Sequence, residues 1–148
     1  AHRQRNFDLV QRVFAAVSAG DADAQIINYT EDIVLDFPFT DPPSVVSGRT
    51  AVHERLINAF KVFQFDLTIT ELHPCLDPDE LIIEFTGAGS YLPNDAPYVN
   101  RYIAVFGFRD GLIYRQREYF DPTQAGKSAP AKGLFLGQIE YRTQIYLD

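Results

Sequence analysis

The chain changes its apolar period at residue 64, and this change limits the folds available to it. Before that point Phe7, Val10, Phe14 and Val17 are spaced as one face of an amphipathic helix, which Gly20 can end in a left-handed conformation. After it, apolar and polar residues alternate, as in strands with one buried face. Helices followed by consecutive strands predict an α+β fold with an antiparallel sheet.

Two more helices are predicted in the first part of the chain. Asp21 can cap a short second helix, which leads into a strand over residues 32–39. Prolines and a glycine in residues 40–48 predict a loop. A third helix is expected over residues 49–63, because its apolar residues fall on one side.

The second part predicts four strands, over residues 64–72, 80–92, 98–108 and 112–122. An Asp-Gly pair at 110–111 is the hairpin signal between the last two. Glycines inside these strands, at Gly87, Gly89 and Gly107, predict bulges or bends of a strongly curved sheet. We therefore expect one domain over residues 1–122. A mobile linker should follow over 123–133, and a tail over 134–148 should pack on the domain or on a second subunit.

The charge and composition exclude several classes of function. A net charge of -7 argues against nucleic-acid and anionic-membrane surfaces, which need clustered Lys and Arg. No apolar run reaches the ~20 residues that span a bilayer, and the N-terminal residues lack the apolar core of a signal peptide, so a soluble, cytoplasmic protein is expected. The single cysteine, Cys75, excludes an internal disulfide. We expect no metal, because no His, Asp and Glu residues have ligand spacing, and no cofactor.

Four strings in order resemble a known family. They are "LVQRVFAAVSAGDADAQI", the aspartate-containing strand that follows, "SGRTAVHERL" and "FRDGLIYRQREYFDP". Together they resemble the SnoaL-like branch of the nuclear-transport-factor-2-like superfamily, which includes ketosteroid isomerases, polyketide cyclases, dehydratases and phenazine-biosynthesis proteins of the A/B type. The resemblance implies a cone: a curved antiparallel or mixed sheet, wrapped against three helices, that encloses a pocket. It also implies a homodimer and a small organic ligand, apolar or cyclic.

The residues do not match those of a ketosteroid isomerase. That chemistry needs a carboxylate base, a tyrosine and a protonated aspartic acid. The resemblance places Val13 at the tyrosine, Phe37 at the base and Ala104 at the aspartic acid. All three groups are missing, so steroid isomerisation by that apparatus is excluded.

The phenazine-type proteins match more closely around residues 98–120. The resemblance implies that Glu118 acts as acid or base in the pocket, and it places Arg55 where those proteins have a histidine on the third helix. Strand alternation independently turns Glu118 inward, together with Tyr114, Gln116 and Phe120. An ionised carboxylate among apolar side chains must be protonated, paired or solvated.

Two interpretations of Glu118 stay open. In the first, Arg55 forms a buried ion pair with Glu118, which is then only structural. In the second, Glu118 handles a proton or a ligand while Arg55 binds a ligand carboxylate or carbonyl. Asp41 can reach the pocket mouth from its loop. The predicted lining is Val13, Phe14, Val17, Phe37, Phe60, Phe85, Tyr91, Asn100, Tyr102, Ala104, Phe106, Gln116 and Phe120.

The sequence thus predicts a small-molecule pocket. A cofactor-independent isomerase, cyclase or dehydratase would use Glu118, helped by Arg55, Asn100, Tyr102 and Asp41. The alternatives are a non-catalytic ligand-binding domain with a structural Arg55–Glu118 pair, and a protein-interaction module whose pocket is filled by its own side chains.

Overall fold

A computed structural model describes residues 1–128 of the chain. Its helices are α1 (His2–Ala19), α2 (Ala22–Ile26), α3 (Arg49–Val62) and α4 (Thr123–Ser128). Its strands are β1 (Tyr29–Phe37), β2 (Ser44–Ser47), β3 (Phe63–Pro74), β4 (Glu80–Tyr91), β5 (Ala96–Arg109) and β6 (Leu112–Phe120).

Local capping signals end and begin the first two helices where the sequence predicts. Gly20 adopts a φ of 67°, and its N–H donates to the carbonyls of Ala16 and Val17. The Asp21 side chain then accepts from the N–H of Ala24 at the start of α2. The turn between them therefore leads directly into α2, which packs on α1 and α3.

The strands form one six-stranded sheet in the order β2-β1-β6-β5-β4-β3. β1 runs parallel to β6, and the other neighbours are antiparallel. Asp110 and Gly111 have φ values of 52° and 78°, which fit the predicted tight hairpin between β5 and β6. The α+β prediction is confirmed, with a mixed, unclosed sheet consistent with the cone.

The main core lies between α1, α3 and the inner face of the sheet. Val10, Val13, Ile33, Ile83 and Phe106 are fully buried there. Burying a side chain of this size contributes about 1.5–3 kcal/mol, so this layer holds the helices on the sheet. None of the helices in residues 1–128 is long and apolar enough to cross a bilayer.

Several sequence predictions are wrong in detail. Ser44–Ser47, expected in a loop, pairs with β1 as an edge strand. Thr123–Ser128, expected in a linker, forms α4, which buries Ala125 against Phe63 and Tyr98. The remaining linker residues and the tail lie outside the described residues.

The inward set on β6 also needs correction. The register between β5 and β6 shifts between Gly107 and Phe108. Gly107 pairs with Arg115 and Phe108 pairs with Ile113, so Tyr114 is the extra residue of a bulge. Ile113 therefore enters the core, and the Tyr114 ring instead lies 4.9 Å from the guanidinium of exposed Arg109. Beyond the bulge the predicted alternation holds.

Candidate functional site

A cavity of about 130 Å³ lies between the helices and the inner face of the sheet. α1 contributes Val13, Phe14 and Val17 to it, and α3 contributes Arg55, Leu56, Ala59 and Phe60. The remaining lining residues are Gln25, Leu35, Phe37, Phe63, Phe65, Leu67, Phe85, Tyr98, Tyr102, Gln116, Glu118 and Phe120. The wall is thus largely aromatic, with a few polar groups, as is usual for small-molecule sites.

The structure brings most of the predicted lining to this cavity. The residues that line it are Val13, Phe14, Val17, Phe37, Phe60, Phe85, Tyr102, Gln116 and Phe120, with Glu118 and Arg55 among them. Strand and helix periodicity found these residues because the inner face of a sheet is shared by alternate positions.

Five predicted site residues do not line it. Ala104 and Phe106 are fully buried in the core beneath the cavity wall. Tyr91 packs its ring 5.3 Å from that of Phe63. Asn100 is used internally, since its Nδ2 donates to the Tyr98 hydroxyl and to the Asp121 carbonyl. Asp41 lies exposed in the loop between β1 and β2.

Glu118 is the titratable group whose environment matters most for chemistry. It lies opposite Ala104 of β5, and the rings of Tyr102 and Phe120 line the same cavity. Burial raises the pKa of Glu118 to about 7, although the hydrogen bond from Gln116 works in the opposite direction. The carboxyl is therefore near half-protonation at neutral pH.

Arg55 does not neutralise this carboxylate. Within residues 1–128 Glu118 forms no ion pair with Arg55, and the polar contact that lowers its pKa is Gln116. Arg55 Nη2 donates to Ser44 Oγ over 2.6 Å, and its guanidinium lies 5.6 Å from the centre of the Phe37 ring. The predicted Arg55–Glu118 pair is wrong, because β2, expected as a loop, provides an acceptor for Arg55.

A hydrogen-bonded chain reaches Glu118 from α2. Gln25 Nε2 donates to the Tyr29 hydroxyl over 2.8 Å, Tyr29 donates to Gln116 Oε1 over 2.8 Å, and Gln116 Nε2 donates to Glu118 Oε2 over 2.5 Å. Gln25, Tyr29 and Gln116 are all buried. We call these four residues the polar relay. Sequence analysis missed Gln25 and Tyr29, since no local pattern indicates that Tyr29 bonds Gln116, a residue 87 positions further along the chain.

Two tyrosines of the cavity wall, Tyr98 and Tyr102, also form a hydrogen-bonded pair. The hydroxyls of Tyr98 and Tyr102 are 2.9 Å apart. Burial raises the pKa of Tyr98 above its ordinary value, so this hydroxyl stays neutral and can only donate or accept hydrogen bonds.

Sequence spacing did not predict one further cluster. Glu71, His73 and Glu84 lie together on the outer face of β3 and β4, with potential ligand atoms within 4.8 Å of one another. The His73 ring bonds Glu84 over 2.7 Å, which accounts for their proximity without an ion.

Known proteins share this fold and part of the sequence. The PhzA/B-like protein PA3332 of Pseudomonas aeruginosa is 30% identical over 107 residues, which cover 70% of this chain and 74% of that protein. Protein YesE of Bacillus subtilis is 28% identical over 97 residues, 64% of this chain and 66% of that protein.

Solved structures agree with the topology. A candidate isomerase from Bacillus subtilis superposes with a TM-score of 0.80 at 22% identity, covering 86% of this chain and 94% of that one. A candidate polyketide cyclase from Xanthomonas campestris gives 0.75 at 26% identity, covering 86% and 98%. An epoxide hydrolase from M. tuberculosis gives 0.70 at 21% identity, covering 84% and 89%.

The family profile described as a SnoaL-like domain matches residues 10–116, from α1 into β6, a span that contains most of the cavity wall and all of the polar relay except Glu118. With this match over most of its length, the chain belongs to the SnoaL-like domain family.

Proposed function

We propose that the protein is an enzyme that uses Glu118 to move a proton on a small, largely apolar organic molecule, in an isomerisation, cyclisation or dehydration. The observation that supports this proposal is that the carboxyl of Glu118, with a pKa of about 7, is buried in the wall of an aromatic cavity. The structural relatives bearing cyclase, isomerase and epoxide hydrolase names agree with this class of chemistry.

The protonation state of Glu118 suits it to both halves of a proton transfer. A group with a pKa near the working pH is present as base and as acid in comparable amounts. A carboxylate in an apolar cavity is also a stronger base than in water, because solvent stabilises its charge less. Acid/base chemistry of this kind requires only the carboxyl group, so the proposal involves no cofactor.

The polar groups around the cavity divide into two roles. The relay holds Glu118 in place through Gln116, and whichever of the Tyr98 and Tyr102 hydroxyls accepts in their mutual hydrogen bond can donate its own proton to an oxygen of the ligand on which charge develops. Arg55 lines the cavity and can bind a carbonyl or carboxylate of the ligand from the α3 side. Asp41, on its exposed loop, has no part in this proposal.

The test uses a small probe whose reaction needs one base. Removal of the carbon-bound proton of 5-nitrobenzisoxazole breaks its N–O bond and releases a coloured nitrophenolate. We expect the wild-type protein to accelerate this elimination at least about 100-fold over Glu118→Gln, with a rate that rises through a midpoint near pH 7. Exposed Glu54 of α3 supplies the matched control, and Glu54→Gln should retain the wild-type rate.

A wild-type rate no greater than that of Glu118→Gln would contradict the proposal and favour a non-catalytic binding domain. Circular dichroism of both variants distinguishes loss of the base from loss of the fold.

We also propose that two copies of the chain associate through the outer face of the sheet. Val99 and Ile103 lie on that face of β5, on either side of Arg101, and are 60% and 37% exposed. Exposed branched apolar side chains on a sheet are a favourable surface for another apolar surface.

A further inference from the structure

When Glu118 is ionised, its carboxylate decides which group donates and which accepts in each hydrogen bond of the polar relay. A carboxylate can only accept hydrogen bonds, so ionised Glu118 requires the amide nitrogen of Gln116 to face it. The Gln116 oxygen must then face Tyr29, which gives it its single hydroxyl proton. Tyr29 can in turn only accept from its next neighbour, so Gln25 presents its amide nitrogen to Tyr29.

This direction leaves the oxygen of Gln25 without a donor. Gln25 Oε1 is buried and has no hydrogen-bond partner among residues 1–128. A buried acceptor without a partner is costly, and such groups in folded proteins are usually satisfied by water or by a ligand. The same residue lines the aromatic cavity and is 2% exposed.

The cavity limits the molecule that can supply the missing donor. A volume of about 130 Å³ is close to the ~150 Å³ of an engineered apolar cavity that holds benzene. Phe14, Phe60 and Phe85 contribute aromatic walls, which favour a flat apolar body. Arg55 and Glu118 both line the same cavity, and a neutral donor such as a hydroxyl adds no further charge to be buried there.

We propose that Gln25 Oε1 accepts a hydrogen bond from the ligand, and that the ligand is therefore a neutral, ring-sized molecule carrying a hydroxyl or a similar donor. This inference rests on the proposed function, because it names the substrate class of the same cavity. Gln25 is the residue that selects a hydroxylated ring over a purely hydrocarbon one. Glu118, at the opposite end of the relay, remains the group that moves the proton.

The test compares two one-ring probes, phenol and toluene, which differ mainly in the donor. Their dissociation constants are measured by calorimetry at about pH 8, where Glu118 is ionised and the relay has the direction described. We expect the ratio of the toluene constant to the phenol constant to fall about tenfold in Gln25→Leu, with toluene affinity nearly unchanged. Retained toluene binding shows that the cavity of the variant has folded.

Two further variants sharpen the comparison. Gln25→Met keeps the length of the side chain and removes both polar atoms, so it should reproduce the loss of Gln25→Leu. Exposed Gln11 of α1 offers the matched control, and Gln11→Leu should leave the ratio at its wild-type value.

An unchanged ratio in both Gln25 variants would overturn the inference, since water or another group would then satisfy Gln25 and bind the phenol hydroxyl. A wild-type protein that binds neither probe would overturn the ligand class. Both failures are distinguishable from failure of the proposed function, because Glu118-dependent elimination of 5-nitrobenzisoxazole is measured separately and does not require Gln25.

Discussion

Glu118 gives the stability of this fold an unusual pH dependence. Its pKa in the folded chain is about 7, against an ordinary value of 4.5, so the folded state binds more protons than the unfolded state between these values. The free energy of unfolding should therefore fall as pH rises from about 4.5 to about 7 and level off above that range.

Glu118→Gln should remove this penalty. Relative to wild type, the variant should gain up to about 3 kcal/mol of unfolding free energy between pH 4.5 and pH 8, because a neutral amide carries no charge to bury. Urea denaturation of both proteins at the two pH values measures the gain. An Arg55–Glu118 pair predicts the opposite, a variant less stable than wild type at pH 8, so this experiment also distinguishes a paired Glu118 from an unpaired one.

Gln116 should set the pH at which Glu118 titrates. Its amide donates to the carboxylate and lowers the Glu118 pKa against the effect of burial. Gln116→Leu should therefore shift the midpoint of the pH–rate profile for 5-nitrobenzisoxazole above pH 7. A midpoint that stays in place would show that Gln116 does not stabilise the charge.

Residues such as Glu118 were predictable from sequence, whereas their partners were not. Alternation along β6 places Glu118 inward regardless of what surrounds it. The partner of Arg55 depends on where residues 44–47 lie, and a four-residue edge strand with two prolines before it has too little pattern to predict. The contact between Tyr29 and Gln116 depends on the parallel pairing of β1 with β6, which no local signal indicates.

At the scale of elements, the sequence predicts bulges or bends at Gly87, Gly89 and Gly107, whereas the two glycines of β4 instead allow close packing. Gly107 lies at a bulge, as predicted, but the pairing of Gly87 and Gly89 with both neighbouring strands is regular. A Cβ on Gly89 would lie 1.8 Å from the Gln64 carbonyl oxygen, and one on Gly87 would lie 2.9 Å from the Tyr102 ring. These positions allow close approach of β3 and of the cavity wall.

Gly89→Ala should consequently be severely destabilising. The contact is with backbone, which cannot rotate away, so we expect a loss of about 3 kcal/mol or more in unfolding free energy by urea denaturation. Gly126→Ala in α4 is the matched control. A Cβ there meets nothing within 4 Å, and alanine favours a helix, so this change should be neutral or stabilise by up to about 1 kcal/mol. Equal effects of the two substitutions would contradict the close approach of β3 to β4.

For the whole molecule, the outer face of the sheet is the surface that a second copy would cover. Ile103 pairs across the sheet with Glu84 and Tyr119, and the exposed Phe39 ring packs 5.1 Å from that of Tyr119. Among residues 1–128, exposed apolar and aromatic groups thus continue from β5 across β6 to the loop after β1. An isologous pair would repeat each of these contacts twice about its axis.

Ile103→Glu should convert a dimer into a monomer. The wild-type protein should sediment at twice the chain mass of 16.8 kDa, and the variant at the mass of one chain, because association would bury an unpaired charge on each copy. The exposed side chain of Leu76, which lies in the turn between β3 and β4, supplies the control: Leu76→Glu should leave the dimer intact. Since the cavity lies on the inner face, the monomer should still bind toluene, and a wild-type protein that sediments as a single chain would contradict the proposed association.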